Sequence, residues 1–225
     1  MCPLTKAELR KQGFLGALKY VEWGERQVSR KSASHTVAGV PWPSVKSVVG
    51  NRPAWHCYSL KETGHFVVPA LIRERFFYAY NADSLPDTNM FYHGRFDDDD
   101  NIQLQCALLN SSIAYLATEV YGRINIGGRL NMYGTEYNQL PVLNGKLLTP
   151  ARSRAVVEHF QTLSRRHVMP ILDEIKQPDR QAFDAAVFAG CGLAEHVALE
   201  SLYADFTALV ANRLSRESSE GTEDA

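Results

Sequence analysis

From residue 150 to residue 210 the apolar side chains recur at helical spacing, and no other feature of the sequence constrains the fold as tightly. Val156, Val157, Phe160 and Leu163 make one stripe, Phe183 and Val187 a second, and Leu199, Leu202, Phe206, Leu209 and Val210 a third. A chain that gives this much of its length to amphipathic helix cannot close as an all-β barrel or sandwich. Pro170 should end or kink the first helix, Asp179 should cap the second, and Gly192 should separate the second from the third.

The middle of the chain follows a different pattern. Segments 65–72 and 75–80 are rich in Val, Ile, Phe and Tyr, a short third run covers 90–92, and 81–89 has turn chemistry, so short strands are expected there. Asp97, Asp98, Asp99 and Asp100 stand directly before the periodic Ile102, Leu104, Ala107, Leu108 and Leu109, where negative charge suits a helix N-terminus better than it suits a metal. Asn110, Ser111 and Ser112 then interrupt that helix and can cap another running to Tyr121. Beyond it, 122–130 is glycine-rich, 130–133 can form a strand, and Thr135 can cap one helical turn before Pro141. At the other end, Thr5 and Glu8 have the spacing of a capping box, so a short helix should start there, while 23–52 reads as irregular around Pro41 and Pro43. The expectation is an α+β fold. A small mixed β-sheet with flanking helices should fill 1–148, with a helical appendage over 149–217 and a disordered tail over 218–225.

Charge is informative by position only, because the net value is -1. The first 52 residues are basic and the residues after Pro178 are acidic, so the two ends should meet different surroundings. Cys2, Cys57, Cys106 and Cys191 lack the paired spacing of a zinc or redox site and read as free thiols of a cytoplasmic protein. The apolar stretches are too short for a bilayer span, and no membrane partner is expected.

Several chemistries fail on residue context. Methyl transfer to a base amine needs a cofactor loop after a strand and a polar-Pro-Pro-aromatic segment, and the chain contains no Pro-Pro. Its nearest glycine-rich imitation, Gly190-Cys191-Gly192, has helical flanks and reads as a helix C-cap. Glu174 and Lys176 match half of a nuclease motif, but at i and i+2 of a helix they diverge and read as a solvated face. The seven histidines show no metal-ligand spacing, and Ser111 and Ser112 lack a nucleophile elbow. No catalytic, cofactor-binding or metal-binding residue is therefore assigned.

Binding features remain. Arg73 and Arg75 sit beside Phe76, Phe77, Tyr78 and Tyr80, a mixture of guanidinium donors and rings suited to phosphate and base contact. Arg123, Asn125, Arg129 and Asn131 surround Gly127 and Gly128, and Arg and Asn are the side chains that bond purine edges through two hydrogen bonds. Arg26, Arg30, Lys31, Lys46 and Arg52 are candidates for phosphate anchoring.

Several segments together resemble the target-recognition region of adenine-specific DNA methyltransferases, the TaqI-like specificity domain of restriction-modification enzymes. These are 47–55 followed by Tyr58-Ser59-Leu60, with His56 and Cys57 inserted relative to the family pattern; Val68-Pro69-Ala70 leading to Arg75-Phe76; Ala107-Leu108-Leu109-Asn110-Ser111-Ser112; and Gly127-Gly128-Arg129-Leu130 leading to Leu140-Pro141-Val142. The region from Arg180 to Arg213 is similar to the helical tail that follows such domains. The resemblance implies double-stranded DNA as one partner and a methyltransferase catalytic domain or subunit as the other. S-adenosylmethionine would bind in that catalytic partner, which flips the adenine from the stack. The alternative is a protein-interaction or assembly module with no DNA role, or a non-functional fragment of a methyltransferase gene.

Overall fold

The structure is a computed structural model and describes residues 4–30, 38–50, 52, 54–57, 63–86, 90–97, 101–125 and 127–220. The chain divides into two compact units, Met1–Glu62 and Thr63–Ala225.

In the first unit, helix α1 (Lys6–Lys11) opens on the expected capping box: Thr5 Oγ1 accepts from the Glu8 N–H, and the Glu8 carboxylate accepts from the Thr5 N–H. Gly13, at φ 75°, turns the chain into α2 (Leu15–Glu25). Leu9, Leu18 and Val21 form a small core against Leu4 and Trp55. The Trp55 ring lies so close to Gly24 that any Cβ there would collide with it, so this glycine is required by packing. A 3-10 turn over Trp42–Ser44 and the short α3 (Lys46–Val49) complete the described part of this unit.

The second unit carries the strands. They are β1 (Phe66–Pro69), β2 (Leu71–Ile72), β3 (Ala79–Tyr80), β4 (Phe91–Gly94), β5 (Arg123–Asn125) and β6 (Arg129–Asn131). The α+β class is as expected, but the single mixed sheet is two antiparallel ones, ordered β3-β1-β4 and β2-β6-β5. One residue joins them. Ala70 donates its N–H to Met90 O on the first sheet's side, and its carbonyl accepts from Met132 N on the second's. The run over 65–72 therefore divides at Ala70 into β1, which ends on Pro69, and β2. Residues 75–78, expected as strand, are irregular, and their rings face inward: Phe76 and Tyr78 are core residues.

Helices α4 (Ile102–Leu109), α5 (Ser112–Tyr121), α6 (Gly134–Tyr137), α7 (Pro150–Leu163), α8 (Ile171–Glu174), α9 (Pro178–Cys191) and α10 (Leu199–Glu220) surround the sheets. Helices α4, α7 and α9 share one core through Leu104, Leu108, Val156, Phe160, Phe183 and Val187. A second core joins Val68, Ile72, Tyr115 and Leu130 to Ile171, Phe206 and Val210. The helices after residue 149 are therefore integral to the second unit and not an appendage. Their apolar stripes cover the sheets, and the chain divides near residue 62 instead of 148. Helix α10 extends through Glu220, into the stretch expected to be a tail, while 221–225 lie outside the described residues. Among the described residues no helix is long and apolar enough to cross a membrane.

Candidate nucleic-acid interface

Strands β5 and β6 form a hairpin whose register pairs Arg123 with Asn131, Ile124 with Leu130 and Asn125 with Arg129. Side chains alternate across a strand, so both Arg–Asn pairs share one face while Ile124 and Leu130 share the other. On the inner face Leu130 is fully buried, and it pairs with Ile72 of β2. On the outer face Arg123, Asn125 and Arg129 are exposed, and Leu71 of β2 lies opposite Asn131. Continuing that register past the end of β2 puts the exposed Arg73 across from Arg129. The sequence motif thus folds into an outward array of Arg and Asn over an apolar anchor.

The members of this array differ in freedom. The Arg129 side chain makes no hydrogen bond or ion pair with a described residue, so its fork of donors is available. Arg123 is committed: its Nη2 lies 2.5 Å from Glu136 Oε1, and its guanidinium stacks over the Tyr133 ring at 5.9 Å. Burial opposes ionisation of Glu136, but hydrogen bonds from Thr135, the Tyr133 N–H and Arg123 prevail and hold its carboxyl below the ordinary range. Asn131 is half-buried, donating from Nδ2 to Tyr133 Oη at 3.3 Å, and its buried Oδ1 has no partner among the described residues. Asn125 is exposed at the hairpin tip.

Arg75 does not belong to this face. Its Nε donates to Val168 O at 3.2 Å and its Nη1 pairs with Glu74, so it ties the segment after β2 to the loop before α8. Of the rings expected beside it, Phe76 and Tyr78 are buried, with Phe76 against Tyr115 and Phe206 in the core, while Phe77 is half-buried and Tyr80 exposed. Arg26, Arg30, Lys46 and Arg52 belong to the first unit, where Arg26, Arg30 and Lys46 are exposed and Arg52 is half-buried. Lys31, Asp98 to Asp100 and the Tyr58-Ser59-Leu60 motif lie outside the described residues.

A second polar cluster has the look of a site and the bonding of a framework. Asn110 Oδ1 accepts from Tyr78 N and Tyr115 Oη, and its Nδ2 donates to Tyr78 O and Cys106 O, which uses its full capacity. The start of α5 is capped from outside: the Asp184 carboxylate on α9 accepts from Ser112 N at 2.8 Å and Ser112 Oγ at 2.6 Å. Ser111, expected as the cap, instead donates its hydroxyl to Leu108 O. Glu174, expected on a solvated face, is buried between Arg166 and Arg180. Burial raises the tendency of Glu174 to hold its proton, but the two guanidiniums prevail and keep its carboxyl below the ordinary range. A cavity of about 350 Å³ opens beside this cluster, lined by Tyr78, Phe160, Arg166 and Glu174 among others. These polar groups satisfy one another, so the cluster organises the fold.

Gly190-Cys191-Gly192 ends α9, with Gly192 in the left-handed conformation at φ 71°, so this motif does not supply the strand-to-helix turn of a cofactor loop. Among the described residues no group of three or more His, Cys, Asp and Glu is placed to hold a metal ion. The residue that sequence reasoning missed is Arg213, buried behind the hairpin and bonded to the carbonyls of Gly128 and Arg73. No family model, curated protein or solved structure matches this chain.

Proposed function

We propose that this chain is the sequence-reading region of an adenine-specific DNA methyltransferase of restriction-modification type, working with a separate catalytic domain or subunit that binds S-adenosylmethionine. The observation that carries this reading is the outer face of β2, β6 and β5, where Arg129 and Asn125 are cross-strand neighbours, both exposed, with Arg73 and Arg123 beside them. An uncommitted guanidinium suits the O6 and N7 acceptors of guanine, and a carboxamide suits the N6 and N7 pattern of adenine, both in the major groove. Arg26, Arg30, Lys46 and Arg52 supply charge for phosphates, contacts that set orientation without reading sequence.

A second reading has its own supporting observation. The first unit exposes Phe14, Tyr20 and Trp23, with Tyr20 stacked on Trp23 at 5.5 Å, a surface that suits a protein partner with no DNA involved. Binding of fluorescent duplex DNA across a salt series separates the two. A reader loses affinity steeply, with a log–log slope of about -0.9 for each phosphate neutralised, and enriches one motif from a pool of random duplexes. A flat salt dependence with no enriched motif would leave the protein-interaction reading standing.

A further inference from the structure

Arg213 sits near the end of α10, and it is only 1% exposed. Its Nε and Nη2 grip both oxygens of Glu119 on α5 at 2.7 and 3.0 Å. Its Nη2 also donates to the Arg73 carbonyl at 2.7 Å, and its Nη1 donates to the Gly128 carbonyl. One planar fork thus ties together two helices, the end of β2 and the turn of the β5–β6 hairpin. A buried ion pair is a poor device for stability alone, since well-packed apolar side chains commonly serve as well. What the guanidinium supplies that an apolar side chain cannot is direction: it fixes the orientation of two peptide groups, that of Arg73 itself and that immediately before Arg129. Gly128 makes the approach possible. It lies at φ 61°, and a Cβ there would sit 3.0 Å from the Arg213 carbonyl oxygen, so turn and helix backbone are in close contact.

We propose that Arg213 is the positioning residue of the reading face, holding the hairpin turn and the Arg73 peptide so that Arg129 and Asn125 meet the base edges already in place. This rests on the DNA-reading function proposed above. Moving the hairpin away from α10 would strip hydrogen bonds from a buried charge, so the backbone that carries the array is held in place before binding.

The test uses the full chain, a duplex carrying the motif enriched by the wild-type protein, and a scrambled duplex of equal length. Arg213→Lys keeps the charge but not the fork, and Gly128→Ala strains the same joint from the hairpin side. Arg166→Lys serves as a control, weakening a buried ion cluster elsewhere in the second unit. Arg213→Lys and Gly128→Ala should each lower the ratio of motif to scrambled affinity about tenfold or more and speed amide hydrogen exchange in β5 and β6. The control should lower Tm and leave that ratio unchanged. Should Arg213→Lys fail to fold, Gly128→Ala decides by the same two readouts. Unchanged discrimination in a folded variant would overturn the positioning role while leaving the DNA-reading function intact. A wild-type chain that enriches no motif would overturn both.

Discussion

The two sheets of the second unit have the same size and the same antiparallel sense, yet they face different surroundings. In β3-β1-β4 the side chains of β4 are all half-buried, and the Phe66 ring packs against Phe96 and Tyr78. In the second sheet β6 alternates, with Leu130 sealed in the core between exposed Arg129 and half-buried Asn131, while β5 is exposed along its length. The first sheet is half-buried along β4, and its exposed residues are Ala79 and Tyr80 on the β3 edge, with no Arg–Asn pair among them. The second packs Ile72 and Leu130 with residues of α5 and α10 and turns Arg73, Asn125 and Arg129 outward, which is what a reading surface requires: side chains presented on a backbone held in place. The division of labour follows from the strand period of two, since a single β6 residue anchors the hairpin while its two neighbours are presented.

The comparison can be broken most forcefully through the core behind the second sheet. Phe206→Ala on α10 should destabilise by about 3–5 kcal/mol in urea unfolding; a loss near zero would restore α10 to the status of an appendage. Leu130→Ala removes the hairpin's own anchor and should cost about 2–5 kcal/mol by the same measurement, with the hairpin amides exchanging faster. On the outer face the expected sign of the trade reverses. Arg129→Ala should leave stability within about 0.5 kcal/mol of wild type while weakening motif binding by about 1–3 kcal/mol. Equal loss on motif and scrambled duplex would reassign Arg129 to phosphate contact.

The mildest expected effect is that of acid on the framework side. The Arg166 hydrogen bonds hold the Asp179 carboxyl below its ordinary range, and Arg166 and Arg180 do the same for Glu174 against the opposing effect of burial. Depressed carboxyl groups bind fewer protons folded than unfolded, so their stabilisation is complete above the ordinary carboxylate range, near pH 4.5. It drains away as pH falls through the lower values held in the fold. Urea midpoints should drop below pH 4, and Arg166→Lys should flatten that drop, while Asp184, whose carboxyl burial holds above the ordinary range, acts in the opposite sense as pH rises.

Much of this architecture could be read locally. The Thr5–Glu8 box, the helix junction at Asn110 to Ser112, the amphipathic stripes and the glycine turn between two Arg–Asn segments are written in spacings of a few residues, and the structure has them at those positions. What escaped notice depends on partners outside a residue's own turn or strand. Arg213 lies in an acidic, outwardly polar stretch and reads as a surface residue, because its partner Glu119 is 94 residues away. Glu174 reads as solvated because nothing in its own turn reveals Arg166 and Arg180, eight and six residues away, closing over it. The commitment of Arg123 to Glu136 was hidden as well, since it requires knowing that α6 folds back beside β5. In each case the unpredicted feature is a buried or half-buried charge whose counter-ion arrives by tertiary packing.

Site-directed photocrosslinking addresses the reading face most directly. A photoreactive benzophenone side chain placed at Asn125, on the second sheet, should crosslink to duplex DNA bearing the enriched motif. The same group placed at the exposed Tyr80, on the edge of the first sheet, should not. Crosslinks from position 80 with none from position 125 would contradict the assignment of DNA reading to the β5–β6 hairpin.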